Sequence, residues 1–228
     1  MESSLHRQLK ALYGGARGDC EVTVEGFRID AVSRGRLIEV QRASLAAIRT
    51  KIAALLANHP VTLVKPIAVR TLIVRRDVPN GPVVSQRYSP LKRSLFHLFE
   101  ELVFFGTVFP HPRLRLEAVL VEQEERRISR ARRRFNGPQH RVEDRLLLNV
   151  VSRRTFRTAG DLATLLPAAL ASPFHTRDLA EAAGVPRWLA QKAVYCLRRC
   201  GAIDSVGKVK NSVLYARRAR LGRSRRAA

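Results

Sequence analysis

The strongest constraint on the fold is an alternation of apolar and polar residues in "FRIDAVSRGRLIEVQ", residues 27–41. Such alternation is typical of half-buried β-strands, and Arg34-Gly35 offers a turn between two of them. A two-residue turn pairs Asp30 directly with Glu39, and a four-residue loop keeps the same pairing. An odd-length loop would place the two acids on opposite faces. The pattern therefore predicts a β-hairpin with one apolar face and one acidic face.

In this register the apolar face belongs to the core: Ile29, Ala31, Ile38 and Val40. The opposite face carries Asp30, Glu39 and Gln41. Carboxylates directly opposite each other have Cβ atoms roughly 5 Å apart, and like charges at that distance destabilise a hairpin. A divalent cation such as magnesium would relieve the repulsion, because it takes one or two carboxylates together with phosphate and water. The alternative is neutralisation by neighbouring cations such as Arg28 and Arg36.

The elements around the hairpin predict an α/β domain. A short helix is expected over residues 2–13, followed by three strands and an amphipathic helix that begins near Ala43 and ends before Pro60. Strands follow at 61–69 and 71–76. After a turn-rich segment, a helix is expected at about 90–105 and a strand at about 114–122. The order helix, three strands, helix, strand is that of an α/β core with antiparallel strands leading into a helical crossover.

These residues resemble the core of the PD-(D/E)XK nuclease superfamily: a strand with Asp30, eight intervening residues and then "EVQ" at 39–41, with a helix before and after. The resemblance covers residues 2–68 and implies a restriction-endonuclease-like αβββαβ fold. It also implies that Asp30 and Glu39 bind Mg²⁺ or Mn²⁺, assisted by Glu2 at the first helix. The implied activity is metal-dependent hydrolysis of DNA phosphodiester bonds.

Two positions depart from the family pattern. Ile29 stands where the family name has proline, a common variation. Gln41 stands where lysine is usual, and glutamine supplies neither a positive charge nor a base. Lys51, on the flank of the following helix, is the predicted replacement, and Lys10 is a weaker candidate. The predicted catalytic set is therefore Asp30, Glu39, Gln41 and Lys51.

The charge of the chain predicts a polyanionic partner. It has 42 Lys and Arg against 19 Asp and Glu, a formal net charge of +23. DNA is preferred to a membrane because no basic segment has a long apolar face beside it. The most apolar stretch is interrupted by Glu100 and Glu101, which argues against a membrane span. We expect a cytoplasmic, nucleoid-associated protein; the oligomeric state is open, with a homodimer among the alternatives.

The C-terminal part resembles a winged helix-turn-helix domain over residues 160–216. Thr176 is expected to cap a short helix, Gly184 to form the turn and Pro186 to open a second helix. One side of that helix is apolar: Leu189, Ala193, Cys196, Leu197 and Cys200. The predicted nucleic-acid-binding residues are Arg187, Trp188, Gln191, Lys192 and Tyr195 on the outer face of the helix, with Lys208 and Lys210 in the hairpin after it. The alternative is a domain used for protein contacts, with Trp188 and Tyr195 packed on the nuclease-like domain.

These patterns divide the chain into a nuclease-like domain at 1–125, a basic linker or nucleic-acid-facing helix at 126–157, a winged-helix domain at 158–216 and a disordered basic tail at 217–228. The predicted function is a metal-dependent DNA endonuclease directed by the winged helix. The alternative is a non-catalytic DNA-binding regulator or architectural protein with an inactive nuclease fold. An RNA-processing enzyme is compatible with the same charge.

Overall fold

The computed structural model describes residues 2–14, 19–129 and 140–218. The chain divides into two compact units, each described by itself below. The first consists of Met1–Leu95 and Arg113–Thr155, and the second of Phe96–Pro112 and Phe156–Ala228. None of the helices in the described ranges has the length and apolar character needed to cross a membrane.

The first unit is built on a mixed seven-stranded sheet. Its elements are α1 (Ser4–Gly14), β1 (Asp19–Val24), β2 (Phe27–Ser33), β3 (Arg36–Val40), a 3₁₀ helix (Leu45–Ile48), α2 (Arg49–Leu55), β4 (Val61–Arg76), β5 (Ser85–Tyr88), β6 (Leu114–Ser129) and β7 (His140–Phe156). The strand order is β1-β2-β3-β4-β6-β7, and β5 pairs with β4. The β3–β4 and β4–β6 pairs are parallel, whereas β1–β2, β2–β3 and β4–β5 are antiparallel. The α/β prediction is confirmed.

The β2–β3 hairpin has the register that the alternation predicted. Ala31 lies opposite Ile38, and the strands are joined by the two-residue turn Arg34-Gly35. Both turn residues have positive φ, +51° and +68°, as a type I′ turn requires. A non-glycine residue at positive φ is uncommon, which is why Arg34 made this turn hard to predict. The four-residue alternative does not occur.

The core forms on both sides of this hairpin. The four residues predicted for its apolar face are all buried: Ile29, Ala31, Ile38 and Val40. Leu5 and Leu9 of α1 pack into one cluster with Ala31, Ile38 and Val40. In α2, Ile52 and Leu55 are fully buried. Burying each Leu or Ile side chain contributes about 1.5–3 kcal/mol, so the apolar residues of α1 and α2 add substantially to the stability of this unit.

The structure differs from the predicted linker at 126–157. There β6 runs on to Ser129, well past the predicted strand end, and β7 occupies most of the remainder, while 130–139 lie outside the described residues. The high charge had argued against a sheet, but several of the charged side chains pair within it, and many residues of β7 are exposed. Arg126 Nε lies 2.7 Å from Glu124, and Arg145 Nε lies 2.8 Å from the buried Glu125. Pairing of this kind lets charged side chains occupy long strands without an unpaired buried charge.

The helix predicted near 90–105 also differs from expectation. It is a 3₁₀ turn (Leu95–His97) followed by the short helix α3 (Leu98–Leu102). Residues 96–112 belong to the second unit, although the predicted first domain at 1–125 included them. There α3 packs on the long helix of that unit, and the Cys196 thiol donates to the carbonyl oxygen of Phe99 over 3.5 Å. The unit boundary therefore depends on long-range packing that local patterns do not reveal.

The second unit continues with α4 (Ala159–Ala163), α5 (Thr176–Ala183), α6 (Arg187–Arg199) and the hairpin β8 (Ile203–Val209) and β9 (Ser212–Arg217). Helix α5 is capped by His175, not by the predicted Thr176, which is its first residue. Gly184 adopts φ +60° between the two helices, as a turn there requires. Pro186 is the N-cap residue of α6, one position before the first helical residue that it was predicted to be. Of the predicted tail, residues 219–228 lie outside the described residues, and Arg217 ends β9.

Candidate functional site

The two acids of the hairpin lie where the sheet forks. The β2–β3 ladder ends at the Ala31–Ile38 pair, beyond which β3 continues parallel to β4, with Glu39 opposite Leu63. At the fork, the backbone N–H of Val40 donates to Asp30 Oδ2 over 2.8 Å. The carboxylate thus accepts the hydrogen bond of an amide that lies beyond the end of the β2–β3 ladder. The half-buried carboxylate of Asp30 and the buried carboxylate of Glu39 thus lie at the end of one hairpin, and the backbone of Val40 holds the first of them.

Lys51 of α2 reaches the second of these acids. Its Nζ donates to Glu39 Oε2 over 2.7 Å and to the carbonyl oxygen of Arg28 over 2.5 Å. The side chain of Lys51 is 18% exposed and that of Glu39 is 10% exposed, so the ion pair is largely shielded from water. The structure thus places an ammonium group from the following helix beside the acidic pair.

Three residues near the start of the chain complete the cluster around Asp30. His6 Nε2 lies 3.2 Å from Asp30 Oδ1 and 3.4 Å from Glu2 Oε1. Lys10 Nζ lies 2.7 Å from Glu2, 2.8 Å from Glu21 and 3.8 Å from Asp30. The positive groups among the acids are therefore side chains of α1 and α2.

The arginines considered as neutralising neighbours do not fill that role. Arg28 pairs with Glu21 instead. Arg36 donates to the hydroxyl of Thr62 and to backbone carbonyls. Gln41, the residue at the usual lysine position, donates from Nε2 to the carbonyl oxygen of Ser44 over 3.0 Å. Its side chain stabilises the start of the next helical turn rather than touching the acids.

The local environment sets the charge state of the cluster. Burial by itself would raise the pKa of Asp30, but hydrogen bonds from His6 and from the Val40 amide, with the charge of Lys10, hold that pKa below its ordinary value. Burial raises the pKa of Glu39, and the charge of Asp30 adds to the rise against the opposing hydrogen bond from Lys51. Burial would lower the pKa of Lys10, yet its bonds to Glu2 and Glu21 raise it overall. Asp30 is thus the firmly ionised acid, and Glu39 takes up a proton more readily.

The donor chemistry suits a hard cation held by two carboxylates. Asp30 and Glu39 offer oxygen ligands, the kind that magnesium prefers, and magnesium needs only one or two carboxylates beside water and substrate phosphate. Within the described ranges, no three Asp, Glu, His or Cys side chains form a group that could hold a metal ion. A metal would therefore depend on Asp30 and Glu39, with Glu2 engaged by Lys10 and His6.

His6 and Glu21 were not among the residues predicted from the sequence. Glu2, His6 and Lys10 recur every four residues, the spacing that places side chains on one face of a helix. That spacing could have indicated His6. Glu21 could not have been found in this way, because its contact with Lys10 depends on how β1 lies against α1.

The outer face of α6 carries the residues predicted to bind nucleic acid. Trp188 and Tyr195 are 46% and 45% exposed, and Arg187 and Gln191 are also exposed. Lys192 Nζ lies 5.0 Å from the centre of the Trp188 ring, a cation–π contact. The predicted inner residues Leu189, Ala193, Cys196 and Leu197 are buried, and Cys200 is half-buried. In the hairpin that follows, Lys208 and Lys210 are exposed, with Lys210 in the turn.

The fold and site define an α/β protein with a mixed sheet, in which Asp30 and Glu39 lie near the end of the β2–β3 ladder beside basic side chains. Residues 3–157 match the model of a family described as "Domain of unknown function (DUF8091)", and the chain belongs to this family. It is also 31% identical over 216 residues to an "Uncharacterized protein" of Treponema pallidum (strain Nichols). That alignment covers 94% of this chain and 84% of the relative, so it includes most of the second unit as well. Comparison with solved structures gave no match.

Proposed function

We propose that this protein is a metal-dependent nuclease, with its reaction centre at the fork of the first unit and a DNA-binding second unit. The observation that carries the proposal is the nearness of Asp30 to Glu39, whose pKa the charge of Asp30 raises, together with the ammonium group of Lys51 on Glu39. Buried like charges are retained in a fold chiefly where they serve a site, because they destabilise the hairpin that contains them.

The architecture of the first unit supports a restriction-endonuclease-like core. The order α1, β1, β2, β3, α2, β4 matches the αβββαβ arrangement that the resemblance implies. The hairpin β2–β3 is antiparallel and β3 pairs in parallel with β4, so α2 is the crossover between them. In this arrangement the acids of adjacent strands and a lysine of the crossover helix meet at one end of the sheet.

Each residue has a distinct role in the proposed reaction. Asp30 and Glu39 would hold a divalent cation, which when bound stabilises negative charge on the phosphodiester. Lys51 supplies the positive charge that Gln41 lacks, at a position fixed by its bonds to Glu39 and to the carbonyl oxygen of Arg28. His6 holds the carboxylate of Asp30 in place through its Nε2 contact.

The second unit supports nucleic-acid binding by a winged helix. Helices α5 and α6 are joined by a turn at Gly184, and the β8–β9 hairpin follows directly. An isolated antiparallel bridge pairs Phe174 with Tyr215 of β9, beside that hairpin. The exposed face of α6 presents Gln191 and Arg187, whose side chains pair well with base edges in a major groove.

Cleavage assays test the proposal directly. The full chain is incubated with supercoiled, linear, nicked, branched and single-stranded DNA, and with RNA, in EDTA, Mg²⁺ or Mn²⁺. We expect cleavage only with a divalent cation, because the uncatalysed reaction is extremely slow. Asp30→Ala and Glu39→Ala should abolish cleavage and leave DNA binding largely intact, while Glu122→Ala, an acid elsewhere on the sheet, should retain activity. Full cleavage by either site variant would refute the site.

One observation favours the second candidate, a DNA-binding regulator with an inactive nuclease fold. Lys10 and Lys51 pair with Glu2 and Glu39 without a metal, His6 contacts Asp30, and Gln41 is engaged with Ser44. For such a protein we expect tight DNA binding with no cleavage of any of these substrates in either metal, and equal binding by the Asp30→Ala variant.

A further inference from the structure

A second feature of the first unit is a cleft of about 370 Å³ beside the acidic cluster. It lies between the start of α1, the chain that follows β3, and the strands β6 and β7. Four arginines line it: Arg7, Arg42, Arg126 and Arg145. Glu2 also lines the cleft, and its carboxylate contacts Lys10 of the acidic cluster. The cleft and the acidic cluster are therefore adjacent.

The arginines that line the cleft use only some of their donors in hydrogen bonds to described residues. Arg7 donates to Ser4 Oγ over 2.9 Å, while Arg126 and Arg145 each direct Nε to a glutamate of β6. A guanidinium has five N–H donors, so each of these contacts leaves several unused. Across the described parts of the chain, the side chain of the exposed Arg42 has no hydrogen-bond partner.

Of the three acids that line the cleft, Glu2 is engaged by Lys10 and Asp144 is engaged by Ser4, while Glu143 is exposed. Asp144 accepts from the backbone N–H and hydroxyl of Ser4 and from the Arg145 N–H, at 2.5–2.9 Å, so its oxygens tie α1 to β7. Partial burial of the guanidinium lowers the pKa of Arg42, and the like charge of Arg145 lowers it further. The charges of Glu125 and Asp144 act in the opposite direction without reversing the shift. Two guanidinium groups that repel each other at a concave surface favour an anion between them.

The position of Arg42 relates the cleft to the reaction centre. Arg42 follows Glu39 by three residues, which in extended chain is at most about 10 Å. Phosphates along one strand of nucleic acid are spaced at about 3.4 Å of helix axis, so a strand crossing the acids would bring another phosphate to the arginines within a few nucleotides.

We propose that this arginine cleft binds a phosphate group of the nucleic-acid strand whose neighbouring phosphodiester lies at the Asp30–Glu39 site. This inference rests on the proposed nuclease function and names how the substrate strand is held. The planar fork of arginine fits phosphate oxygens bidentately, which explains why the described residues that line the cleft include four arginines and no lysine. The phosphate would be an internal phosphodiester or a terminal phosphomonoester.

Binding in EDTA tests the cleft apart from cleavage. Short single-stranded oligonucleotides with a 5′-phosphate, a 3′-phosphate or hydroxyl ends are titrated by fluorescence anisotropy with the full chain. The test variant is Arg7→Gln with Arg42→Gln, two exposed positions. The matched control removes the same charge from exposed positions of the same unit, Arg49→Gln with Arg87→Gln. Thermal unfolding confirms that both variants fold.

We expect the cleft variant to bind about tenfold more weakly than wild type, since hydrogen bonds between charged groups are among the strongest. The slope of log affinity against log salt concentration should decrease by about 0.7 for each phosphate of a single strand that the variant no longer binds. The affinity of the control variant should change about twofold at most. An equal decrease in affinity for all three oligonucleotides identifies an internal phosphate, and a decrease confined to one phosphorylated end identifies a terminal phosphate. Equal binding by the cleft and control variants would overturn the inference.

The two proposals fail in distinguishable ways. A protein that loses affinity through the Arg7→Gln, Arg42→Gln variant but cleaves no substrate in Mg²⁺ or Mn²⁺ refutes the nuclease and retains the phosphate cleft. A protein that cleaves with metal, and whose cleft variant binds and cleaves like the control, retains the nuclease and refutes the cleft.

Discussion

Replacing Lys51 by methionine is the perturbation that most directly examines the site. Methionine keeps the length and apolar body of the side chain but removes the ammonium group that donates to Glu39 Oε2 and to the carbonyl oxygen of Arg28. The variant leaves Glu39 in a position that is only 10% exposed, facing Asp30 without a cation beside it.

The expected magnitude follows from this geometry. Breaking a buried ion pair by removing one partner destabilises a protein by about 3–5 kcal/mol. Lys51 is 18% exposed and retains some access to water, so the lower end applies. We expect Lys51→Met to lower the free energy of unfolding of the first unit by about 3 kcal/mol at pH 8.

The destabilisation should depend on pH in a definite direction. Burial already raises the pKa of Glu39 in the folded protein, and removal of Lys51 raises that pKa further. An acid whose pKa is higher in the folded state than in the unfolded state ionises more readily when the chain unfolds, so its ionisation favours unfolding. The destabilisation by Lys51→Met is therefore small near the ordinary pKa of glutamate and grows as pH rises. The effect of Lys51→Met should therefore shrink to about 1 kcal/mol or less at pH 5.

The assay is urea unfolding followed by far-UV circular dichroism, with hydrogen exchange at the amides of β2 and β3. The chain has a single tryptophan, Trp188, which belongs to the second unit, so tryptophan fluorescence would report on the wrong part of the molecule. The control is Lys51→Met combined with Glu39→Gln, which removes the unpaired charge and should recover much of the stability. A pH-independent destabilisation, or no recovery in the double variant, would refute this account of the pair.

Three further predictions concern both units. Lys210→Ala, in the exposed turn of the β8–β9 hairpin, should weaken binding to all duplexes alike and lower the salt slope by about 0.9, measured by titration over a range of salt. Gln191→Ala should instead lose about 1–3 kcal/mol of preference between a selected and a random duplex, and an equal decrease in affinity for both would contradict base readout. His6→Ala should raise the pKa of Asp30. In wild type that pKa is lowered by folding, so the ionised carboxylate stabilises the fold at pH values above the ordinary pKa of aspartate, and this stabilisation is lost as pH falls. Acid unfolding below about pH 5 should then show a shallower decline than in wild type.

The sequence by itself determined the features that depend on local periodicity. A one-residue slip would move every side chain of a strand to the other face, so the alternation in residues 27–41 left one register that buries Ile29 and Ala31. The same reasoning separated the buried and exposed sides of α6, because a 13-residue amphipathic helix has one stripe to bury. In both cases the hydrophobic pattern repeats within a single element.

Only the tertiary structure decided which distant charges meet. The sequence indicated Lys51 as a candidate because it lies on the flank of the helix after the hairpin. His6 and Lys10 also lie beside Asp30, and their positions depend on how α1 packs on the hairpin. The strand at 140–156 was missed because it is rich in charged residues; most of these are exposed, and Arg145 pairs in space with Glu125 of β6. The arginine cleft gathers residues 7, 42, 126 and 145, which no sequence spacing connects. Charge pairing acts between elements and over short distances, so it becomes visible only when the packed sheet sets those distances.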